Sequence, residues 1–254
     1  MNPPPTPKRR LPFVIRIILL ALALPSVSFA QSDDFNDGND AGWTRYNPLS
    51  LGTYSFPSGG YRIQAAANPN QQFGPTRAGS FRNDVTYTDF SVSIDIVAFD
   101  ASLGQAFGSA ARATNIGLGS TDGYLLVYLP AFSQLTIQRV DNESPSPIGA
   151  TGVSLNSATD YRFVFTGIGS MLTGQVFDLA NLNTPLATVM ATDATYTSGF
   201  SGLIVGASPN TPGSAADATF DNYIALVPEP ATWTLVVLAL VALFGWRRLR
   251  RIAS

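Results

Sequence analysis

An all-β sandwich, flanked by an apolar segment at each end, is the architecture the sequence predicts. Three observations carry it. Between residues 31 and 226 the apolar residues recur with period two, as in strands that bury one face. Gly, Pro, Asn and Ser punctuate these runs every few residues, as turns require. Over the same span no apolar stripe repeats at i, i+3, i+4, i+7, so amphipathic helices are not expected there.

The elements follow in order. Residues 1–30 read as a secretory signal. Lys8, Arg9, Arg10 and Arg16 form a basic start, residues 17–24 are apolar, Pro25 breaks the run, and Ser28-Phe29-Ala30 is a small-x-small cleavage site. Cleavage between Ala30 and Gln31 by a signal peptidase, after passage through a secretion translocon, is the expected outcome. In residues 88–99, Phe90, Val92, Ile94, Ile96 and Ala98 alternate with polar residues and are expected to face inward together. Residues 123–129 and 134–140 form a hairpin around Pro130-Ala131-Phe132-Ser133, and residues 160–166 and 171–178 form a second around Gly167-Ile168-Gly169-Ser170. Further strands are expected at 61–65, 78–82, 107–113, 186–191, 199–205 and 218–226. The resulting single domain, 31–226, suits a many-stranded jelly roll better than an immunoglobulin sandwich of roughly 100 residues.

Composition excludes several chemistries. The chain has 254 residues and contains no Cys and no His. Its single Lys, Lys8, lies in the leader, so Cys or His nucleophiles, His/Cys zinc sites and lysine Schiff bases are ruled out for this chain acting alone. Without disulfides, stability has to come from the core. The net charge of −2 hides a sorting of charge along the chain: residues 31–226 hold 7 basic and 16 acidic groups, a net of −9. An acidic body argues against nucleic acid as a partner.

Residues 227–254 form a third segment. Pro228-Glu229-Pro230 precedes an apolar stretch, 231–246, that is a little short of the ~20 residues needed to span a bilayer. Arg247, Arg248, Arg250 and Arg251 follow and are expected to stay on the cytoplasmic side, placing the body outside the inner membrane. This order of motif, apolar helix and arginine cluster resembles the PEP-CTERM sorting signal of Gram-negative bacteria. The resemblance implies processing by an exosortase, a membrane-embedded transpeptidase-like enzyme, and transfer towards the cell surface or an exopolysaccharide matrix. Pro228, Glu229 and Pro230 would be the recognition elements. A permanent anchor without sorting is the plainer alternative.

A second resemblance concerns the body. Asp33-Asp34-Phe35-Asn36-Asp37 and Phe220-Asp221-Asn222-Tyr223-Ile224 are similar to the terminal strands of concanavalin A-like (laminin G-like) jelly rolls. The Tyr161–Asp178 hairpin and Gly199-Phe200-Ser201-Gly202-Leu203 are similar to inner strands of the same superfamily. The resemblance implies that first and last strands are neighbours. Asp34, Asp37 and Asp221 would then be candidates for a structural Ca²⁺, with a solvated N-terminus as the alternative. It also implies two classes of function. For glycan binding, Arg112, Tyr124, Tyr128 and Arg139 are the candidates: Tyr124 and Tyr128 share a strand face, and Arg112 with Tyr124 resembles an Arg…Gly-Tyr strand pair of these jelly rolls. For a carbohydrate-active enzyme, hydrolase or lyase, the best strand is Ser93-Ile94-Asp95-Ile96-Val97-Ala98. It keeps only Asp95, expected on a solvated outer face, where a retaining hydrolase needs two carboxyl groups about 5 Å apart. A non-catalytic surface protein, structural or glycan-binding, is therefore the expected function.

Overall fold

A computed structural model describes residues 30–228, Ala30 to Pro228. The leader before Ala30, and Glu229, Pro230, the apolar stretch 231–246 and the four arginines after Pro228, lie outside the described residues. Among the described residues no helix is long and apolar enough to cross a membrane.

Fifteen strands follow one another: β1 (Ala30–Asp33), β2 (Thr44–Tyr46), β3 (Gly52–Ser55), β4 (Tyr61–Ala65), β5 (Arg77–Tyr87), β6 (Phe90–Phe99), β7 (Gln105–Thr114), β8 (Asp122–Leu129), β9 (Gln134–Asp141), β10 (Ser144–Gly152), β11 (Tyr161–Ile168), β12 (Met171–Asp178), β13 (Ala187–Thr192), β14 (Gly199–Ala207) and β15 (Ala216–Leu226). They form two antiparallel sheets. One has eight strands in the order β13-β12-β11-β6-β15-β4-β3, with β1 beside the far half of β15; the other has seven, β10-β9-β8-β7-β14-β5-β2. First and last strands are indeed neighbours, with Ala30 opposite Leu226 and Asp33 opposite Tyr223.

The inner faces meet in one core. Phe90, Val92, Ile94, Phe163, Phe165 and Phe220 from the larger sheet oppose Phe107, Leu126, Ile137 and Leu203 from the smaller. The Phe107 and Phe163 rings stack across the interface at 6.3 Å. Ser109 lies between Phe107 and Ala111 on the same inward face, fully buried, and its hydroxyl has no partner among the described residues. An unpaired buried hydroxyl costs about 1–3 kcal/mol. Ser109→Ala is therefore expected to raise stability by about 1 kcal/mol, measured as a rise in the urea midpoint at unchanged m-value.

The structure corrects the strand reading at several points: β2 and β3 lie outside the expected strands, and β1 ends at Asp33, so Asp34 to Asp37 belong to the turn that follows it. In β6 the pairing slips between Ile96, opposite Phe220, and Ala98, opposite Thr219. This bulge at Val97 reverses the alternation, so Ala98 is exposed and Phe99 is buried. Strand β10 carries two prolines and was not expected. It pairs only with β9, at the edge of the sheet. Asn142 and Glu143 form a two-residue turn with positive φ, so Pro145 and Pro147 fall opposite Val140 and Gln138, at the pairs that exchange no ladder hydrogen bonds. Proline at such edge positions also denies an incoming strand its N–H groups.

The N-terminal segment is ordered rather than a solvated tail. Asp33 accepts hydrogen bonds from the Phe35 N–H (2.9 Å) and the Trp43 indole N–H (2.8 Å), and Phe35 is fully buried. Asp40 binds Arg45 and the Tyr61 hydroxyl.

Candidate ligand-binding site

The outer face of the seven-stranded sheet carries a groove of about 400 Å³. Its cause is a run of small outward residues. On β7 every second position from Ala106, through Gly108 to Ala110, points away from Phe107 and Ala111 of the core, and β14 adds Gly206. With little side chain on β7, the groove runs between Leu125 and Val127 of β8 on one side and Ile204 of β14 on the other. The lining is mostly apolar.

One end is closed by Tyr46, Arg77, Thr121 and Glu143. Arg77 grips Glu143 with two donors, Nε at 2.8 Å and Nη2 at 2.6 Å. The Tyr46 hydroxyl and the Gly119 N–H also donate to this carboxylate. Burial disfavours its charge, but the Arg77, Tyr46 and Gly119 donors outweigh that and hold Glu143 below the usual carboxylate range. Exposed apolar side chains flank the same end: Phe73, whose carbonyl accepts from Arg77 Nη1, and Leu118, next to Gly119.

Asp122 is the other carboxylate of the groove lining. It accepts from the Asn142 N–H and Asn115 Nδ2, both at 2.8 Å, and from the Tyr196 hydroxyl, and these donors hold it ionised. A general acid needs a raised pKa at neutral pH; both groove carboxylates are shifted the other way.

All seven arginines of the body are matched to acids. Arg45 pairs with Asp40, Arg62 with Asp217, Arg77 with Glu143, Arg82 with Asp84, Arg112 with Asp89, Arg139 with Asp141 and Asp193, and Arg162 with Asp95. An anionic ligand would have to break one of these pairs before finding a cation.

Of the four residues expected to bind glycan, three are inside the protein. Tyr124 and Tyr128 do share a face, but it is the core face: they are 0% and 2% exposed. Their hydroxyls serve loops, Tyr128 accepting from the Leu155 N–H and Tyr124 donating to Asp193. No sugar ring can stack on them. Arg112, 2% exposed, points into one end of the sandwich, where Nε, Nη1 and Nη2 donate to the carbonyls of Thr88 (2.7 Å), Tyr196 (3.1 Å) and Gly169 (2.8 Å). Arg139 is half-buried and held between Asp141 (2.9 Å) and Asp193 (3.1 Å). Sequence reasoning missed the groove itself, whose signal is the spacing-two run of Ala106, Gly108 and Ala110.

Asp193 shows what this end of the domain depends on. Burial opposes its charge, yet the Tyr124 hydroxyl, Thr195 and Arg139 bring its pKa down to about 2. An unfolded aspartate titrates near pH 4. The stabilisation is thus complete above about pH 4 and lost as pH falls towards 2. Asp193→Asn is expected to flatten this part of the melting temperature–pH curve, which scanning calorimetry from pH 7 to pH 2 checks.

Asp95 faces outward, as expected, but it is not solvated. It is 1% exposed, gripped by Arg162 Nε (2.7 Å) and Nη2 (2.8 Å) and by Asn222 Nδ2 (3.0 Å). It also lies on the eight-stranded sheet, across the core from the groove. Among the cation candidates, Asp34 and Asp221 come close enough for Asp34 to help raise the Asp221 pKa, after burial and Asp95. Asp37 instead accepts from the Asn39 N–H of its own turn. Among the described residues no group of three or more acidic side chains converges on a point.

Two antiparallel sheets in this order form a jelly-roll β-sandwich. Solved structures similar to the chain share this fold. A β-1,3-1,4-glucanase (lichenase) derived from a mouse hindgut metagenome superposes with a TM-score of 0.56 at 10% identity, covering 78% of this chain and 99% of the other. The carbohydrate-binding module CBM66 from Bacillus subtilis gives 0.50 at 18% identity, covering 71% and 95%. The lectin UEA-II, solved with galactose, gives 0.50 at 14% identity, covering 78% and 98%. No family model and no curated protein matches the chain.

Proposed function

We propose that this protein is an exported, non-catalytic surface module that holds an uncharged glycan in the groove of its seven-stranded sheet. The carrying observation is the groove's chemistry: a mostly apolar lining, one polar end, and its one arginine, Arg77, already paired with Glu143. Sugars present apolar C–H faces to such linings and hydroxyls to polar ends. A carbohydrate-binding module and a lectin among the similar structures support this reading; the glucanase supports the rival, a hydrolase. Against the rival stand the two groove carboxylates, both held as anions, and the position of Asp95 on the far sheet.

Delivery belongs to the same proposal. The leader brings the body across the inner membrane, and the Pro228-Glu229-Pro230 tail hands it to an exosortase-type enzyme for release into an envelope or exopolysaccharide matrix. The proposal also includes a structural Ca²⁺ at Asp34 and Asp221, supported by the raised pKa of Asp221, which burial and the nearby Asp95 and Asp34 carboxylates cause and a cation would relieve. Removing the ion with EDTA is expected to lower the melting temperature; identical melts would eliminate it.

The test of the binding reading is a glycan array spanning neutral and uronic-acid polysaccharides, followed by reducing-sugar assays on whatever binds. Retention on neutral glycans without turnover is expected. Release of reducing ends would establish the hydrolase instead, and absence of all binding would leave a structural role.

A further inference from the structure

The groove lacks the hydrogen-bonding partners that a buried sugar ring would need. Its walls belong to central strands of the seven-stranded sheet. Strand β8 runs Tyr124-Leu125-Leu126-Val127-Tyr128-Leu129, apolar on both faces. Tyr124, Leu126 and Tyr128 fill the core, while Leu125 and Val127 line the groove. An antiparallel strand with one face in water ordinarily alternates apolar with polar residues; apolar residues on both faces mark a strand covered on both. Strands β7 and β14 add Ala106, Ala110 and Ile204 to the lining. None of these lining side chains carries a donor or an acceptor.

The polar groups of the lining are mostly committed elsewhere. Glu143 accepts from the Tyr46 hydroxyl, Arg77 Nε, Arg77 Nη2 and the Gly119 N–H, which fills the roughly four acceptor sites of a carboxylate. Arg77 Nη1 donates to the carbonyls of Phe73 and Pro75. Thr121 Oγ1 donates to the Gly117 carbonyl and accepts from the Gly117 N–H, and Thr76 Oγ1 donates to the Ala66 carbonyl. Asp122 holds the three donors described above. Among the described lining residues, the Gln138 amide and the exposed Ser144 hydroxyl are the main uncommitted side-chain groups. A sugar ring laid between these walls would bring a hydroxyl on nearly every carbon. Each one buried without a partner weakens binding by roughly tenfold or more. An aliphatic chain needs no partner. A chain ending in a carboxylate is disfavoured, because the arginine of the lining is already paired.

We propose that the groove takes an aliphatic substituent, an acyl or alkyl chain carried by a neutral sugar, with the sugar held at the rim where Ser144 is exposed. This rests on the reading of the groove as the glycan site, and it narrows the ligand from any uncharged glycan to an acylated or alkylated one. The space of about 400 Å³ lies within the roughly 300–1,000 Å³ of small-molecule pockets.

The test is calorimetric titration with n-alkyl β-glucosides from methyl to octyl, below their micelle-forming concentrations. Residues 30–228 serve for it, because they make a compact unit with its own core. Affinity is expected to rise about three- to fourfold for each methylene that enters the groove, with a heat-capacity change that grows more negative with chain length. Equal binding of the methyl and octyl glucosides overturns the inference and leaves the glycan reading standing. Octanol bound as tightly as octyl glucoside supports the aliphatic site and removes the glycan reading. Failure of every probe to bind overturns the inference. Ala106→Trp should abolish the chain-length dependence at an unchanged urea midpoint. A dependence that persists in this variant places the chain outside the groove and overturns the inference as well.

Discussion

Arg112→Leu is expected to destabilise the domain by about 3–5 kcal/mol, the range found when one member of a buried charged hydrogen-bond set is removed. Its guanidinium is the only donor described for three carbonyls that arrive from separate connections: Thr88 between β5 and β6, Gly169 between β11 and β12, and Tyr196 between β13 and β14. It also lies 5.3 Å above the Phe90 ring and 3.8 Å from Asp89. Leucine fills the space of the aliphatic stem but removes the one charged donor that ties these three connections together. Equilibrium urea unfolding measures the loss. Arg112→Lys should recover part of it, because an ammonium reaches one or two of the three acceptors but not the full fork. A loss below about 1 kcal/mol for the leucine variant would show that the three connections hold without it.

Ala106→Trp is expected to weaken glycan binding by more than tenfold, which is about 1.4 kcal/mol, with the fold intact. Ala106 is half-exposed on the groove side of β7, opposite Gly206 of β14. An indole there has open groove to enter, so it need not displace the core, yet it fills the space a sugar ring would occupy. Titration of the glycan identified on the array checks the affinity, and an unchanged urea midpoint checks the fold. Binding that survives this substitution would move the site elsewhere, the loop-bearing ends of the sandwich being the first place to look.

Parity was legible in the strands, but the side was not always so. The even positions of β8 do share a face, as the sequence suggested for Tyr124 and Tyr128. Whether that face met solvent or the opposite sheet depended on where β8 lay between β7 and β9, and it met the core. The same holds for Asp95: its outward direction followed from Ile94 and Ile96, while its burial came from Arg162 on β11 and Asn222 on β15, both remote in sequence. Ala98 was misplaced because a bulge is a relation between two strands. β10 was missed because prolines oppose strand propensity, and only its edge position makes them acceptable. The groove was hidden for a further reason: small residues signal little by themselves until neighbouring strands place their gaps side by side.

By itself, then, the sequence determined the all-β class, most strands and the acidic body without Cys, His or Lys, because these depend on local periodicity and composition. Tertiary structure decided which faces are buried, which arginine meets which acid, and that Arg112 fastens three connections. Those features arise from contacts between segments tens to more than a hundred residues apart, and no local pattern encodes where such segments meet.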